Sequence, residues 1–391
     1  MKNKVIYLDS HATTPVSQDV LHAMKPFFDQ YYGNGNHKAG WTTNTAMEKA
    51  RHQVSSIIGA RSTEVIFTSG ATESINLALL GLAKANQNNR KHIITQRTEH
   101  SAVLKCIEEL KRQGFRITIL EVDEVGRIDL NELKRVISDD TLVVAIMLAN
   151  NEIGTIQPVK EIGAICRKAG AKFFCDLTQG IGWHPISVDE MKIDLAAMSS
   201  HKIYGPRGVG ALFIRRFRPK TTIRPILFGG GQERGLRPGT SNIPAIVGFG
   251  KACEIQQSNS EIFTRQIRAM RDKLQDIIFS SIENVKLNGC PKNRHPGNLN
   301  LSIPNVSGED LIGALPNIIF STGSACTSGS MKPSYVISAI NTNQPLLTNA
   351  FRFGIGRLNT MEEINYVGKK VVEITKQLQL KRNSSPVIVN A

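Results

Sequence analysis

Between residues 64 and 215 the chain switches repeatedly between two hydrophobic periods, and this alternation restricts the fold more than any other feature. The runs "EVIFTSG", "KHIIT", "FRITILEV", "TLVVAIML", "KFFCD", "LAAMSS" and "GVGALFI" are short and apolar, as strands are. Helix-period segments lie among them. "ATESINLALLGLA" is apolar most of the way round, hence buried. "HSAVLKCIEELKRQG" carries Val103, Leu104, Ile107 and Leu110 on one face, with Gly114 as a stop signal. Asp129 is placed to cap "LNELKRVI", and "PVKEIGAICRKAG" opens on Pro and closes on Gly. Strands alternating with helices predict an α/β fold: a seven-stranded, mostly parallel sheet covered by helices. Ligands of such sheets bind beyond the carboxyl ends of the strands, where Gly70, Asp176 and Ser199 fall.

After about residue 260 the pattern changes to a long helix, short strands and a last helix, which predicts a smaller C-terminal α+β domain. The expected division is a large domain over 16–258 and a small one over 1–15 together with 259–391, as suits a chain of 391 residues. No apolar run approaches the roughly 18 residues of a membrane span, and "MKNKVIYLDS" has no apolar signal core, so the expected compartment is the cytoplasm. The net charge is +15, but the basic residues are scattered rather than blocked. That favours a solvated basic surface over a nucleic-acid groove, and a nucleic-acid-binding protein without catalysis is the alternative of another class. The six cysteines form no C-x-x-C pair and no zinc spacing, so no metal is expected. Cys106, Cys166, Cys175, Cys253 and Cys290 read as reduced small hydrophobes. Cys326 differs: "STGSACTSGS" has a loop's composition, which suits a reactive thiol.

Neither G-x-G-x-x-G after a strand nor G-x-x-x-x-G-K-[ST] occurs, so nicotinamide and ATP sites are unsupported. Four strand-end features combine differently. "TSGATES" sets free N–H groups at a helix start, a cradle for an anion such as phosphate. Asp176 in "FCDLTQG" can cap a helix or keep a pyridinium nitrogen protonated. Lys202 in "SSHK" follows a buried strand, where desolvation lowers an amine's pKa as a Schiff base requires. His100 in "RTEHSAV" can be a surface histidine or a plane stacked on a flat ring. Each is weak alone; together they ask for pyridoxal 5'-phosphate.

With "YLDSHATTP", "ANNEIGTIQP", "GGGQERGLRPGT" and "FRFGIGR" added, the chain resembles the NifS/IscS-type cysteine desulfurases, class V members of the fold-type-I pyridoxal-phosphate enzymes. The resemblance runs over nearly the whole length and implies residue roles. Lys202 would form the Schiff base, Asp176 would bond the ring nitrogen, Gln179 the ring oxygen, and His100 would stack and relay protons. Ala71, Thr72, Ser199 and His201 would hold the phosphate. Thr240 would reach the phosphate of a neighbouring subunit, implying a homodimer with sites completed across the interface. Asn151 and Arg352 would bind the carboxylate of L-cysteine, with Asn34 on the substrate side. Cys326 would take the sulfur as a persulfide, leaving L-alanine, and pass it to a sulfur-acceptor protein. The loop "SACTSGSMKPSYVISAI" resembles the long-loop, IscS-like group. Iron–sulfur cluster assembly, tRNA thiolation and DNA phosphorothioation are the acceptor pathways implied, with nucleic acid involved only indirectly. A selenocysteine lyase or an aminotransferase of the same class is the alternative.

Three departures qualify the resemblance. "GNGNHKAG" is shorter than the family's usual segment. The end, "LKRNSSPVIVNA", lacks the longer tail with which relatives dock an iron–sulfur scaffold, so a specialised acceptor is expected. His11 stands where relatives carry a small or polar residue, and it reads as a packed or solvated histidine.

Overall fold

Seven strands form the main sheet of the computed structural model, which describes residues 4–33, 40–322, 334–340 and 349–384. After a two-residue β1 (Ile6–Tyr7), they are β2 (Val65–Thr68), β3 (His92–Gln96), β4 (Arg116–Leu120), β5 (Thr141–Ala145), β6 (Lys172–Asp176), β7 (Leu195–Ser199) and β8 (Gly210–Ile214). Their order is β2-β8-β7-β6-β5-β3-β4, and β8 alone runs against its neighbours. The mostly parallel seven-stranded sheet expected from the sequence is therefore observed. Neighbouring residues face opposite ways: Ile66, Val143 and Phe174 pack in one core, Phe67, Val144 and Phe173 in another. Two covered faces explain why these strands are apolar runs rather than alternating ones. β4, at the edge, leaves most of its side chains partly exposed.

The helix Ala71–Lys84 buries Ile75, Leu77, Ala78, Leu79 and Leu82 on one face of the sheet, beside the helix Ser101–Arg112 with Val103, Cys106, Ile107 and Leu110 inward. Leu104, expected on that face, is only half-buried, and Cys106 takes the place beside Ile107. Asp129 caps its helix as expected, accepting from the Asn131 N–H. Each fully enclosed large side chain contributes roughly 1.5–3 kcal/mol.

A second sheet is antiparallel. Its strands are β9 (Lys286–Leu287), β10 (Asn298–Ser302), β12 (Ser321–Thr322) and β13 (Ala350–Gly354), in the order β12-β13-β10-β9. β1 pairs in parallel with β11 (Ile318–Ile319). The helices Ser260–Phe279 and Met361–Ser384 cover this part, where Ile6 and Leu8 share a core with Leu301, Phe351, Phe353 and Val367.

Two close approaches shape the sheet's carboxyl edge. Gly70 ends the turn after β2 with φ 155°, a conformation reserved for glycine, and the helix at Ala71 starts there. Gly210 lies beneath it: a Cβ there would stand 2.5 Å from Met198 O and 2.6 Å from Gly70 Cα. Both obstacles are backbone. Gly210→Ala therefore displaces the Ser69–Gly70 turn, and we expect a loss of about 1–3 kcal/mol in unfolding free energy, read by urea denaturation. An unchanged midpoint would contradict the contact.

The turn after β3 encloses a carboxyl group. Glu99 Oε1 accepts from Gln96 Nε2 at 2.7 Å and from the Met147 N–H at 2.6 Å, while Oε2 is buried with no partner among the described residues. Burial pushes this acid up to about 8, against its two hydrogen bonds and with help from the Asp176 charge. The folded chain thus keeps a proton that the unfolded chain releases above pH 4.5. The stability this confers is complete below pH 4.5 and is lost as pH rises to about 8. Glu99→Gln is neutral throughout. Its stability relative to the wild type should grow steadily from pH 5 to pH 8 in urea denaturation; parallel profiles would refute the assignment.

Candidate active site

A cavity of about 610 Å³ opens at the carboxyl edge of the main sheet. β2 leads into Ser69–Gly70, β6 ends on Asp176, β7 ends on Ser199, and the turn after β3 brings His100. The single-turn helix Ser200–Lys202 then carries His201 and Lys202 over the edge. Ala71, Thr72, His100, Asn151, Asp176, Gln179, Ser199, His201, Lys202 and Arg352 all line this cavity, ten residues that the sequence scatters over 282 positions (352 − 71 + 1). Thr240 does not line it. Asn34 and Cys326 lie outside the described residues.

At one end the helix Ala71–Lys84 points its first turn inward, and first-turn N–H groups have no partner within their own helix. His201 stands nearby. Thr13 Oγ1 accepts from Arg207 Nε at 3.3 Å and lies 3.0 Å from His201 Nδ1. Burial, with the charges of Lys202 and Arg207, pushes His201 down to about 4, so it is a neutral donor near pH 7.

Asp176 is 5% exposed. Its Oδ1 accepts from the Thr178 N–H at 2.9 Å, and its other oxygen has no partner among the described residues. The Thr178 hydroxyl is buried without a partner. His100 caps the helix Ser101–Arg112: its Nδ1 accepts from the Ala102 N–H at 3.2 Å, which places the proton on Nε2. Desolvation lowers the His100 pKa below the usual range; the Asp176 charge opposes this and the Lys202 charge adds to it. Lys202 Nζ donates to the carbonyls of His11 at 2.6 Å and Ala12 at 2.7 Å.

At the other end Arg352 reaches in from β13. Its guanidinium donates to Asp9 Oδ1 at 2.6 Å, to Ser321 Oγ at 3.1 Å and to the Asn151 carbonyl at 3.1 Å. The Asp9–Arg352 pair is nearly enclosed, and Arg352 Nε is buried with no partner among the described residues. A buried charged donor with one N–H unmet suits an incoming carboxylate.

This set fits pyridoxal phosphate: free helix N–H groups for a phosphate, a carboxylate oxygen for a pyridinium nitrogen, an imidazole at the cavity wall and an amine within reach. Sequence reasoning missed His11, Thr13 and Arg207. His11 is neither solvated nor merely packed, because it is 3% exposed and lines the cavity. The one signal for it was the unusual residue in "LDSHATTP". Cys106, Cys166, Cys175, Cys253 and Cys290 are free and buried, as expected.

The pattern of the family described as aminotransferase class-V matches residues 6–367. A cysteine desulfurase of Homo sapiens is 46% identical over 385 residues, spanning 98% of this chain and 83% of the relative. A solved NifS-like protein superposes with a TM-score of 0.89 at 36% identity, covering 95% of this chain and all of that one. A structure described as SspA in complex with cysteine gives 0.80 at 32% identity, covering 91% of this chain and all of that one. The resemblance first seen in the motifs thus holds over the whole fold, and the chain belongs to the aminotransferase class-V family, among its NifS/IscS-type cysteine desulfurases.

Proposed function

We propose that the cavity converts L-cysteine to L-alanine with the residue roles that follow, as the activity and the pyridoxal phosphate of this family require. The observation that carries the reading is convergence: Lys202, Asp176, His100 and the first turn at Ala71–Thr72 surround one space. When bound, the cofactor serves as an electron sink for charge developing at the substrate's Cα. Lys202 supplies the amine that links to it and then moves the Cα proton. Asp176 keeps the ring nitrogen protonated. Gln179 donates to the ring oxygen. His100 lies against the ring face and, through Nε2, handles a proton. Ala71, Thr72, Ser199 and His201 bind the phosphate. Asn151 and Arg352 orient the substrate carboxylate, with Asp9 holding the guanidinium in place.

Cys326 is the collector of sulfur in this reading. Its thiolate attacks the substrate sulfur; an S–S bond forms as the Cβ–S bond breaks, and the persulfide passes to an acceptor protein. Thr240 is exposed and does not line its own chain's cavity, which supports a homodimer in which it completes the partner subunit's phosphate site. A soluble acceptor in the same compartment, the cytoplasm, is the partner proposed. Among the described residues no helix is long and apolar enough to cross a membrane.

Two variants test the roles. Cys326→Ala should keep the visible band of the pyridoxal-loaded protein yet lose alanine and persulfide formation by more than about 100-fold. Alanine formation at the wild-type rate would shift the reading to a lyase that needs no enzyme thiol. Arg352→Lys keeps a charge for Asp9 but loses the planar fork. Its KM for cysteine should rise by about tenfold or more, the worth of one charge-assisted hydrogen bond, with a smaller change in kcat.

A further inference from the structure

His11 is enclosed at 3% exposure, lines the active-site cavity, and has a buried Nε2 with no hydrogen-bond partner among the described residues. Packing alone does not call for a polar ring there. Its ring and its carbonyl both meet Gln179, and the carbonyl also accepts from Lys202 Nζ at 2.6 Å. Gln179 Nε2 donates to the His11 carbonyl at 3.0 Å, and Gln179 Oε1 lies 3.1 Å from His11 Nδ1. These contacts settle the orientation of the amide. A backbone carbonyl only accepts, so the group facing it is the NH2. Oε1 is then the group facing His11 Nδ1, and that nitrogen carries the ring proton. One hydrogen of the Gln179 NH2 is used by the carbonyl, and the other is left for the cavity that Gln179 lines.

We propose that His11 is a positioning residue: its side chain and carbonyl together lock the Gln179 amide so that the NH2, not the carbonyl oxygen, is offered to the ring oxygen of bound pyridoxal. This rests on the reading of Gln179 as the ring-oxygen partner. The reverse orientation would set an amide oxygen against an oxygen that is anionic in the working cofactor.

The surroundings keep His11 in the required state. Arg352 and Lys202 are the charged groups facing it, and both repel a second proton. His295 meets it edge-on, with centroids 4.5 Å apart, and has its own Nδ1 satisfied by the Gly297 N–H at 3.1 Å. Burial is the largest influence and pushes His11 down to about 3, so the neutral Nδ1–H form persists across the pH range in which the cofactor titrates.

The test is the pH midpoint at which the visible band of the pyridoxal-loaded protein changes, a spectrum taken without substrate. Donation to the ring oxygen favours its anion, so losing the donor raises the midpoint. Gln179→Ala should raise it by about one pH unit, the worth of one charge-assisted hydrogen bond. His11→Ala should raise it by a substantial part of that. His11→Leu, which fills the space without a donor, should do the same and guards against a cavity effect. His11→Asn, whose NH2 stands where Nδ1–H did, should return the midpoint toward wild type. The double variant His11→Ala/Gln179→Ala should match Gln179→Ala alone, because both changes act on one interaction. Wild-type midpoints in both His11→Ala and His11→Leu, beside a shifted Gln179→Ala, would overturn the role of His11 and leave Gln179 standing. So would shifts that simply add in the double variant. An unshifted Gln179→Ala would overturn the Gln179 reading and this inference with it.

Discussion

Thr14 grips the turn that carries the lysine, and the active site depends on that grip. Its N–H and its hydroxyl both donate to the His201 carbonyl at 2.9 Å, and its Oγ1 accepts from the Tyr204 N–H at 2.8 Å. Thr13 holds the His201 ring, and the carbonyls of His11 and Ala12 hold Lys202 Nζ. The other end of the same short segment belongs to the second sheet. β1 pairs with β11, Ser10 N–H donates to the Gly354 carbonyl, and Asp9 binds Arg352. A strap of nine residues, 6–14, therefore ties the lysine on one sheet to the arginine on the other. In the proposed reaction the Lys202 amine and the Arg352 guanidinium act on one small molecule. Their spacing is set by backbone hydrogen bonds rather than by the long side chains themselves.

The charge pattern follows from the same construction. Lys202, Arg207 and Arg352 line the cavity, and three imidazoles stand among them. Burial lowers the pKa of His11, His100 and His201, and the neighbouring cations lower it further. The rings are neutral donors or acceptors near pH 7. The cationic side chains beside them attract anions such as a phosphate or a carboxylate. Glu99 behind the wall obeys the same rule with the opposite sign: enclosed beside Asp176, it keeps its proton.

Much of this was legible from local pattern. The seven strands are apolar runs because both their faces are covered. Asp129 is a cap in the sequence and a cap in the structure. Lys202 and Asp176 were recognisable because a charged residue at the end of a buried strand is unusual. The strap was not legible. "KVIYLDSHATTP" offers two paired strand residues and a run of small polar ones, and its partners lie between about 170 and 350 positions away. Nothing local announces such contacts. The contact of His11 with Gln179 was hidden for the same reason, since the two are 168 residues apart.

By itself the sequence determined the alternation of strand and helix, the buried faces, the caps, and the chemical inventory of amine, carboxylate, imidazole and thiol. These depend on periods of two and 3.6 residues and on groups whose chemistry is intrinsic. Only the tertiary structure decided which of them meet. Arg352 is fixed at the cavity because Asp9 holds it, and Gln179 has a defined orientation because a backbone carbonyl faces it. His11 belongs to the site because the strap crosses the sheet edge. Each of those outcomes is a hydrogen bond between distant segments, and its direction is fixed only when folding brings both partners together with their backbone groups already committed.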